Sequence, residues 1–305
     1  MFYDFCVATN CDHDAGFISM LHRFCQSRNM NLLHITPANV NHVTENLNAR
    51  ETNFFAFLDR ASEDDKCFKH LVEWTGHHDI FAINPSHLAR QSWDKSAMHQ
   101  LLSDSLRTPY TMILSSFHEQ PELPALDLSK LGETFNIKPA NGGGGEGVVM
   151  NAVSLDQVRQ ARQQYPQDKY LLQTCVRPAF LGKHMAWFRV IYCVGEIYPF
   201  WWDTHTHVYI PVTSAEIYHY HLSELFWMME RIAELSGLHL FSSEIARERD
   251  GNFIAVDYVN DPIDFRLQSQ TPDGVPDQIV AFIAESLVDY VFRQPVISQH
   301  INPGL

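Results

Sequence analysis

Apolar positions in the first ninety residues switch between two periods. Short apolar runs at 2–8, 32–35, 54–58 and 80–83 alternate with stretches at 17–27, 39–47 and 63–74 whose apolar positions recur every three or four residues. The runs predict strands and the longer stretches amphipathic helices. Strands that alternate with helices imply a parallel layer joined by crossover connections. Ser62 with Asp65 reads as the start signal of the third helix. Asn84-Pro85 then punctuates the chain, because the residue before proline is pushed out of the helical region. A first boundary is therefore expected at 85–92.

Beyond it the rhythm changes. A helical pattern at 93–106 leads through Thr108-Pro109 into a strand at 110–114, and the proline-rich, acidic stretch 115–129 reads as a loop. A strand at 135–138, a glycine-rich loop, a strand at 148–152 and a helix opened by Ser154 with Gln157 follow. Further strands are expected at 170–176, 185–193 and 196–202, then a long helix at 214–236. Two strands at 238–246 and 253–259, turned by Asp250-Gly251, and a helix at 277–292 complete the pattern. The expected class is α/β plus α+β, in three parts: 1–90, 91–176 and 177–305.

Composition removes several functions. With 305 residues and 45% hydrophobic content the chain can fill a sizeable core. Its 36 acidic and 22 basic residues give a net charge of −14, against a nucleic-acid partner, which needs clustered Lys and Arg. No apolar run reaches the ~18 residues of a membrane span. The six cysteines form no CxxC pair, and the first residues lack the basic and apolar segments of a secretory signal, so reduced thiols in a cytoplasm are expected.

The strongest chemical signal is the run from Asn136 to Val148, in which Lys138 precedes Gly142, Gly143, Gly144, Gly145 and Gly147. The glycines satisfy GxGxxG but lead into a strand, whereas a dinucleotide fingerprint opens a helix, and no Lys-Ser or Lys-Thr follows as in a Walker loop. What remains is a hairpin whose bare backbone can approach polyphosphate, with Lys138 supplying charge. Val149 extends the match to the glycine loop of protein kinases, but the other kinase motifs are missing. A second signal joins Glu244 to Asp257 and Asn260 across the Asp250-Gly251 turn. Two carboxylates and an amide oxygen are hard ligands suited to Mg2+.

Together these residues resemble the ATP-grasp superfamily, over roughly 84–266. The resemblance implies an N-terminal parallel α/β domain followed by two α+β subdomains that clasp ATP and Mg2+. Lys95 is similar to the helix-start lysine that touches phosphate, and Lys138 to the second phosphate lysine. The stretch 171–176 resembles the strand that holds adenine, with Gln173 in place of the commoner Glu and the backbones of Thr174 and Val176 toward the base. Arg189 resembles the arginine that faces the transferred phosphate; Glu244, Asp257 and Asn260 match the metal ligands. Asp257 and Asn260 are three apart where the usual pattern has two, so a bulge must intervene or one is not a ligand. No acidic partner for the ribose stands after Val176.

The implied activity is a carboxylate–amine ligase acting through an acyl phosphate, with small-molecule or peptide acid and amine substrates and no nucleic-acid or membrane partner. A homo-oligomer stays open. The same clasp could serve a small-molecule kinase, or a regulatory module that binds nucleotide without turnover. Arg60, at the end of a strand in the first domain, Asp203, His205, His207 and Arg266 are candidates for the substrate, with Asp261 and Asp264 beside them. His205 with His207, and His219 with His221, would share a strand face, but neither pair has the third ligand that zinc requires.

Overall fold

The computed structural model describes residues 1–10 and 12–295; Cys11 lies outside the described residues. The first layer is a parallel sheet built from β1 (Phe2–Thr9), β2 (Leu32–Ile35), β3 (Asn53–Arg60) and β4 (Phe81–Ile83), in the order β2-β1-β3-β4. Its crossovers are α1 (Ala15–Ser27), α2 (Val40–Asn48) and α3 (Lys69–His77). Alternation along β1 sorts the two faces. Phe5 and Val7 enter the core shared with Phe17 and Leu21 of α1, whereas Cys6 and Ala8 meet Val40 and Leu47 of α2 and Leu71 of α3. Asp65, not Ser62, makes the side-chain cap before α3, accepting from the Cys67 N–H; Ser62 is spent on Asp59.

An unexpected helix, α4 (Ser86–Trp93), fills the boundary stretch, and α5 (Lys95–Leu102) stands within the helical pattern at 93–106. Asp94 separates them in an extended conformation, and its carboxylate caps α5 by accepting from the N–H groups of Ser96 and Ala97. The second sheet, β5-β8-β6-β7, is antiparallel: β5 (Thr111–Leu114), β6 (Phe135–Pro139), β7 (Val149–Ala152) and β8 (Tyr170–Thr174). Helix α6 (Leu155–Gln164) packs on it through Val158 and Ala161, and Ser154 caps that helix. Buried Arg162 donates to the carbonyls of Ser115, Ser116 and Gln120, which fastens the proline-rich loop to this unit.

A short hairpin, β9 (Phe180–Leu181) and β10 (His184–Met185), precedes the third sheet. That sheet runs β13-β12-β11-β14-β15, all antiparallel, from β11 (Trp187–Cys193), β12 (Glu196–Trp202), β13 (Tyr209–Pro211), β14 (Leu240–Arg247) and β15 (Phe253–Asn260). The long helix expected at 214–236 is two, α7 (Ser214–Tyr220) and α8 (Glu224–Ser236), broken where His221 turns left-handed at φ 54°. Helices α5 and α8 share the core on one face of this sheet, with Met98, Leu102, Phe188, Val190 and Met228. The other face continues into the first layer, because α9 (Asp277–Phe292) inserts Ile283 and Leu287 beside Ile191, Cys193 and the α1 residues. Arg28 of α1 is ion-paired with Glu285 and Asp289 of α9. The final helix therefore packs against the first sheet's crossover helix, and α4–α5 pack against the third sheet.

Candidate active site

On β11 the odd-numbered residues share one face. Ile191 and Cys193 run into the α9 core, while Trp187 and Arg189, nearer the start of the strand, are only half-buried. Arg189 stands opposite Glu244 of β14, which stands opposite Asp257 of β15. One arginine and two carboxylates thus line up across three neighbouring strands. Arg189 Nη1 donates to Glu244 Oε1 at 2.7 Å and its Nε to Ser242 Oγ at 3.0 Å, while Trp187 Nε1 donates to Glu244 Oε2 at 2.9 Å. The guanidinium also lies 5.4 Å from the ring centroid of Trp202. Burial works against its charge, but Tyr209, Glu244 and Asp257 outweigh that and hold its pKa above the ordinary arginine value.

The three-residue spacing of Asp257 and Asn260 has its explanation in the register. Ser242 pairs with Asn260 and Glu244 with Asp257, so β15 spends three steps where β14 spends two, and a bulge takes up the difference. Asn260 Nδ2 then donates to Asp257 Oδ2 at 3.2 Å. Glu244, Asp257 and Asn260 therefore end on one patch. Like charges directly opposite on neighbouring strands are unfavourable unless a cation offsets them, and the oxygen donors present suit Mg2+, whose remaining positions water and phosphate fill. Among the described residues no three His, Cys, Asp or Glu side chains gather as a metal centre.

Lysine supplies the other cations. Lys138 projects from β6 opposite the core side chain Ile137, and its Nζ lies 3.4 Å from the Val256 carbonyl on β15. Burial lowers its pKa from the ordinary lysine value, with Asp257 and Glu244 pushing back. Lys95 opens α5: its backbone N–H donates to the Ala140 carbonyl at 2.8 Å, and its ammonium donates to the Gly142 carbonyl. Between β6 and β7 the glycine hairpin is exposed. Gly142, Gly144, Gly145 and Gly147 all have positive φ. A Cβ at Gly147 would lie 2.5 Å from Tyr165 Cε2, whereas at Gly142 through Gly145 it would meet nothing within 4 Å.

The strand expected to meet adenine is the central β8. Gln173 is buried, and its Nε2 donates to Thr111 Oγ1 at 3.1 Å and Tyr258 Oη at 3.2 Å. Tyr258 Oη in turn lies 2.7 Å from His99 Nδ1. This polar chain ties β8, β15 and α5 together and withdraws the Gln173 side chain from a base. The Thr174 N–H donates to the Tyr110 carbonyl, so Thr174 offers a base no backbone donor; Val176 lies just past the strand.

The substrate candidates fall into different surroundings. Asp203 is exposed and accepts from the N–H groups of His205 and Thr206, which makes it a turn former and holds its carboxyl below the usual carboxylate range. His205 is exposed, and His207, left-handed at φ 55°, stacks on Trp202 at 5.3 Å. Arg266 is taken up by Asp264 and Asp273 at 2.7 and 2.8 Å. Arg60, by contrast, is buried and ion-paired with Asp14, and Asp261 follows Asn260 directly. Sequence reasoning gave Trp187, Ser242, Asp94 and His99 no role; for the first two, the two-residue offsets from Arg189 and Glu244 were the available signal.

No protein-family model matches the chain, and no curated protein matches it in sequence. Solved structures match it in shape. A RimK-domain ATP-grasp protein from Sphaerobacter thermophilus DSM 20745 is 17% identical with a TM-score of 0.61, the alignment covering 94% of this chain and 98% of that one. The ATP-grasp ligase PsnB, solved with a minimal precursor, Mg and ADP, is 13% identical with a TM-score of 0.61, covering 95% and 97%. D-cycloserine synthetase DcsG is 13% identical with a TM-score of 0.56, covering 95% and 100%. At such identities the likeness is one of fold: the chain has the ATP-grasp fold, α/β at the N-terminus and α+β beyond.

Proposed function

We propose that the chain is an ATP-dependent carboxylate–amine ligase. The observation that carries the reading is the convergence of Lys138, Arg189, Glu244, Asp257 and Asn260 between the second and third sheets, at the mouth of the glycine hairpin and beside Lys95. In this reading Lys95, Lys138 and the hairpin backbone bind the phosphates of ATP. Gly142 through Gly145 leave open space for that approach. Glu244, Asp257 and Asn260 would hold Mg2+, which neutralises phosphate charge when bound. The base would lie near Val176 and the end of β8.

A substrate carboxylate oxygen attacks the γ-phosphorus, and the bond from phosphorus to the β–γ bridging oxygen breaks, releasing ADP. Arg189 faces the transferring group and offsets its charge. The amine nitrogen then attacks the carbonyl carbon of the acyl phosphate, the carbon–oxygen bond to phosphate breaks, and the nitrogen sheds a proton to a base or solvent as phosphate leaves. The hairpin, exposed here, closes over the phosphates and excludes water.

Support for a ligase comes from the neighbours of like fold, among them PsnB with Mg and ADP, and DcsG. A macrocyclase of the same fold, MdnC, was solved with a precursor peptide, which favours including peptides among the substrates tested. The test is a mass-spectrometric screen of acid and amine pools with Mg-ATP. Release of ADP and phosphate with an amide product is the expected outcome. A stable phosphorylated product would replace the ligase with a kinase, and ATP binding without turnover under every pool would replace it with a regulatory module.

A further inference from the structure

A crevice separates the carboxyl ends of β3 and β4 from the segment that follows β15. Asp59, Arg60, Glu63, Asn84, Trp93 and Asp261 are among the residues lining it. The ends of parallel strands are where ligands of such sheets gather, and two features of this crevice are unexplained by packing.

Arg60 is the first. It is 6% exposed, and its guanidinium lies 5.2 and 4.7 Å from the ring centroids of Phe17 and Phe265, which pack on each other at 4.7 Å. Its Nε and Nη2 donate to Asp14 at 3.1 and 2.7 Å, and Nη2 also donates to the Ile263 carbonyl at 2.8 Å. Asp14 takes the Nε–Nη2 edge of the planar guanidinium and Ile263 takes the other Nη2 hydrogen, which leaves Nη1. Nη1 is buried and has no hydrogen-bond partner among the described residues. A buried donor left in that state costs free energy that an acceptor oxygen would recover.

Charge is the second feature. Asp14 balances Arg60, and Asp59 is occupied by the N–H groups of Ala61 and Ser62. Glu63 and Asp261 remain, with Arg90 also on the lining and Asn84 hydrogen-bonded to Asp261; neither carboxyl forms an ion pair among the described residues. With Glu63 at the solvent edge and Asp261 half-buried, the lining stays net negative, which favours a cation. The crevice borders the phosphate site: Trp93 Nε1 donates to the Asp261 carbonyl at 2.9 Å, Asp261 adjoins Asn260, and Lys95 is close enough to Glu63 to influence its charge.

We propose that this crevice receives the amine partner of the reaction, as a primary ammonium followed by a carbonyl oxygen, the pattern of an amino acid or a peptide N-terminus. The carbonyl oxygen accepts from Arg60 Nη1, and the ammonium lies against Glu63 and Asp261. The free volume of the crevice is about 10 Å³, room for one water-sized group, so the carbonyl oxygen enters and the rest of the substrate lies at the mouth. This assignment rests on the ligase reading above.

Titration calorimetry with L-alaninamide tests it, in the presence of Mg2+ and a non-hydrolysable ATP analogue. Isobutyramide, which replaces the ammonium by a methyl group, and sec-butylamine, which lacks the carbonyl, should each bind at least about tenfold more weakly, since each loses a charged-group hydrogen bond. L-alanine in the same titration separates a free amino acid from a peptide end. Glu63→Gln, at an exposed position, should weaken L-alaninamide by about tenfold and leave the nucleotide analogue's affinity unchanged. Arg60→Lys should do the same; if that variant does not fold, the sec-butylamine comparison reads the same contact. Absence of L-alaninamide binding, equal binding of the three compounds, or an unaltered Glu63→Gln variant would overturn the amine site. Failure of the nucleotide analogue to bind would instead strike the ligase reading itself.

Discussion

Glu244 and Asp257 stand directly opposite each other on adjacent strands, and the bulge beyond them places the Asn260 amide on the Asp257 carboxylate. Without the bulge, residues three apart on a strand would face opposite sides of the sheet. If the three hold Mg2+ against ATP, Glu244→Gln or Asp257→Asn removes a negative ligand from the site, and turnover should collapse with a raised Mg2+ requirement. Asn260→Ala should move in the same direction, less steeply. Activity against Mg2+ concentration checks all three, and an unchanged requirement in both carboxylate variants would refute the metal assignment.

Lys138→Ala and Lys95→Ala should each weaken ATP binding, by about 1.5–3 kcal/mol, the worth of a hydrogen bond to a charged group. Calorimetric titration with ATP measures this. Unchanged affinity in both variants would remove the phosphate role from the two lysines.

Lys138 also predicts a pH dependence. Burial lowers its pKa below 10.5, with Asp257, Glu244 and Lys95 as further influences. As pH rises through the lowered value the ammonium is lost, so ATP affinity should fall before an ordinary lysine would titrate. Stability has the opposite sign, because between the lowered pKa and 10.5 the unfolded chain holds more protons, and this group's contribution rises with pH. Lys138→Arg keeps its charge throughout, so its ATP affinity should stay flat over the same range. An identical alkaline decline in that variant would assign the effect elsewhere.

The glycines of the hairpin are not equivalent. Gly147 has a positive φ of 70° and would press a Cβ against Tyr165, whereas Gly143 has ordinary φ and open space. Gly147→Ala should destabilise by about 1–3 kcal/mol through strain and overlap, and Gly143→Ala should be nearly silent. Urea unfolding of the pair gives the comparison, and equal midpoints would contradict it.

Much of this architecture is legible in the chain, and what is not has local causes. Short apolar runs give the strands at 32–35 and 196–202 with their observed ends because turns bound them on both sides. Helix α4 is not legible because Asn84-Pro85 reads as a break, and the break at His221 is not legible because the helical pattern of apolar residues continues past it while a left-handed residue ends the helix. The bulge shows in the sequence only as an irregular spacing. Gln173 looks like a nucleotide contact by position, yet a partner distant in the chain, Tyr258, holds it inside. Arg266 similarly finds Asp273, which no spacing rule identifies.

The most direct measurement is ATP affinity with and without Mg2+, in the wild type and in the double variant Glu244→Gln with Asp257→Asn. In the wild type Mg2+ should tighten ATP binding, and in the variant that gain should vanish while metal-free binding holds or strengthens, since carboxylates that repel phosphate are gone. A wild type indifferent to Mg2+, or a variant that keeps the full gain, would contradict the site.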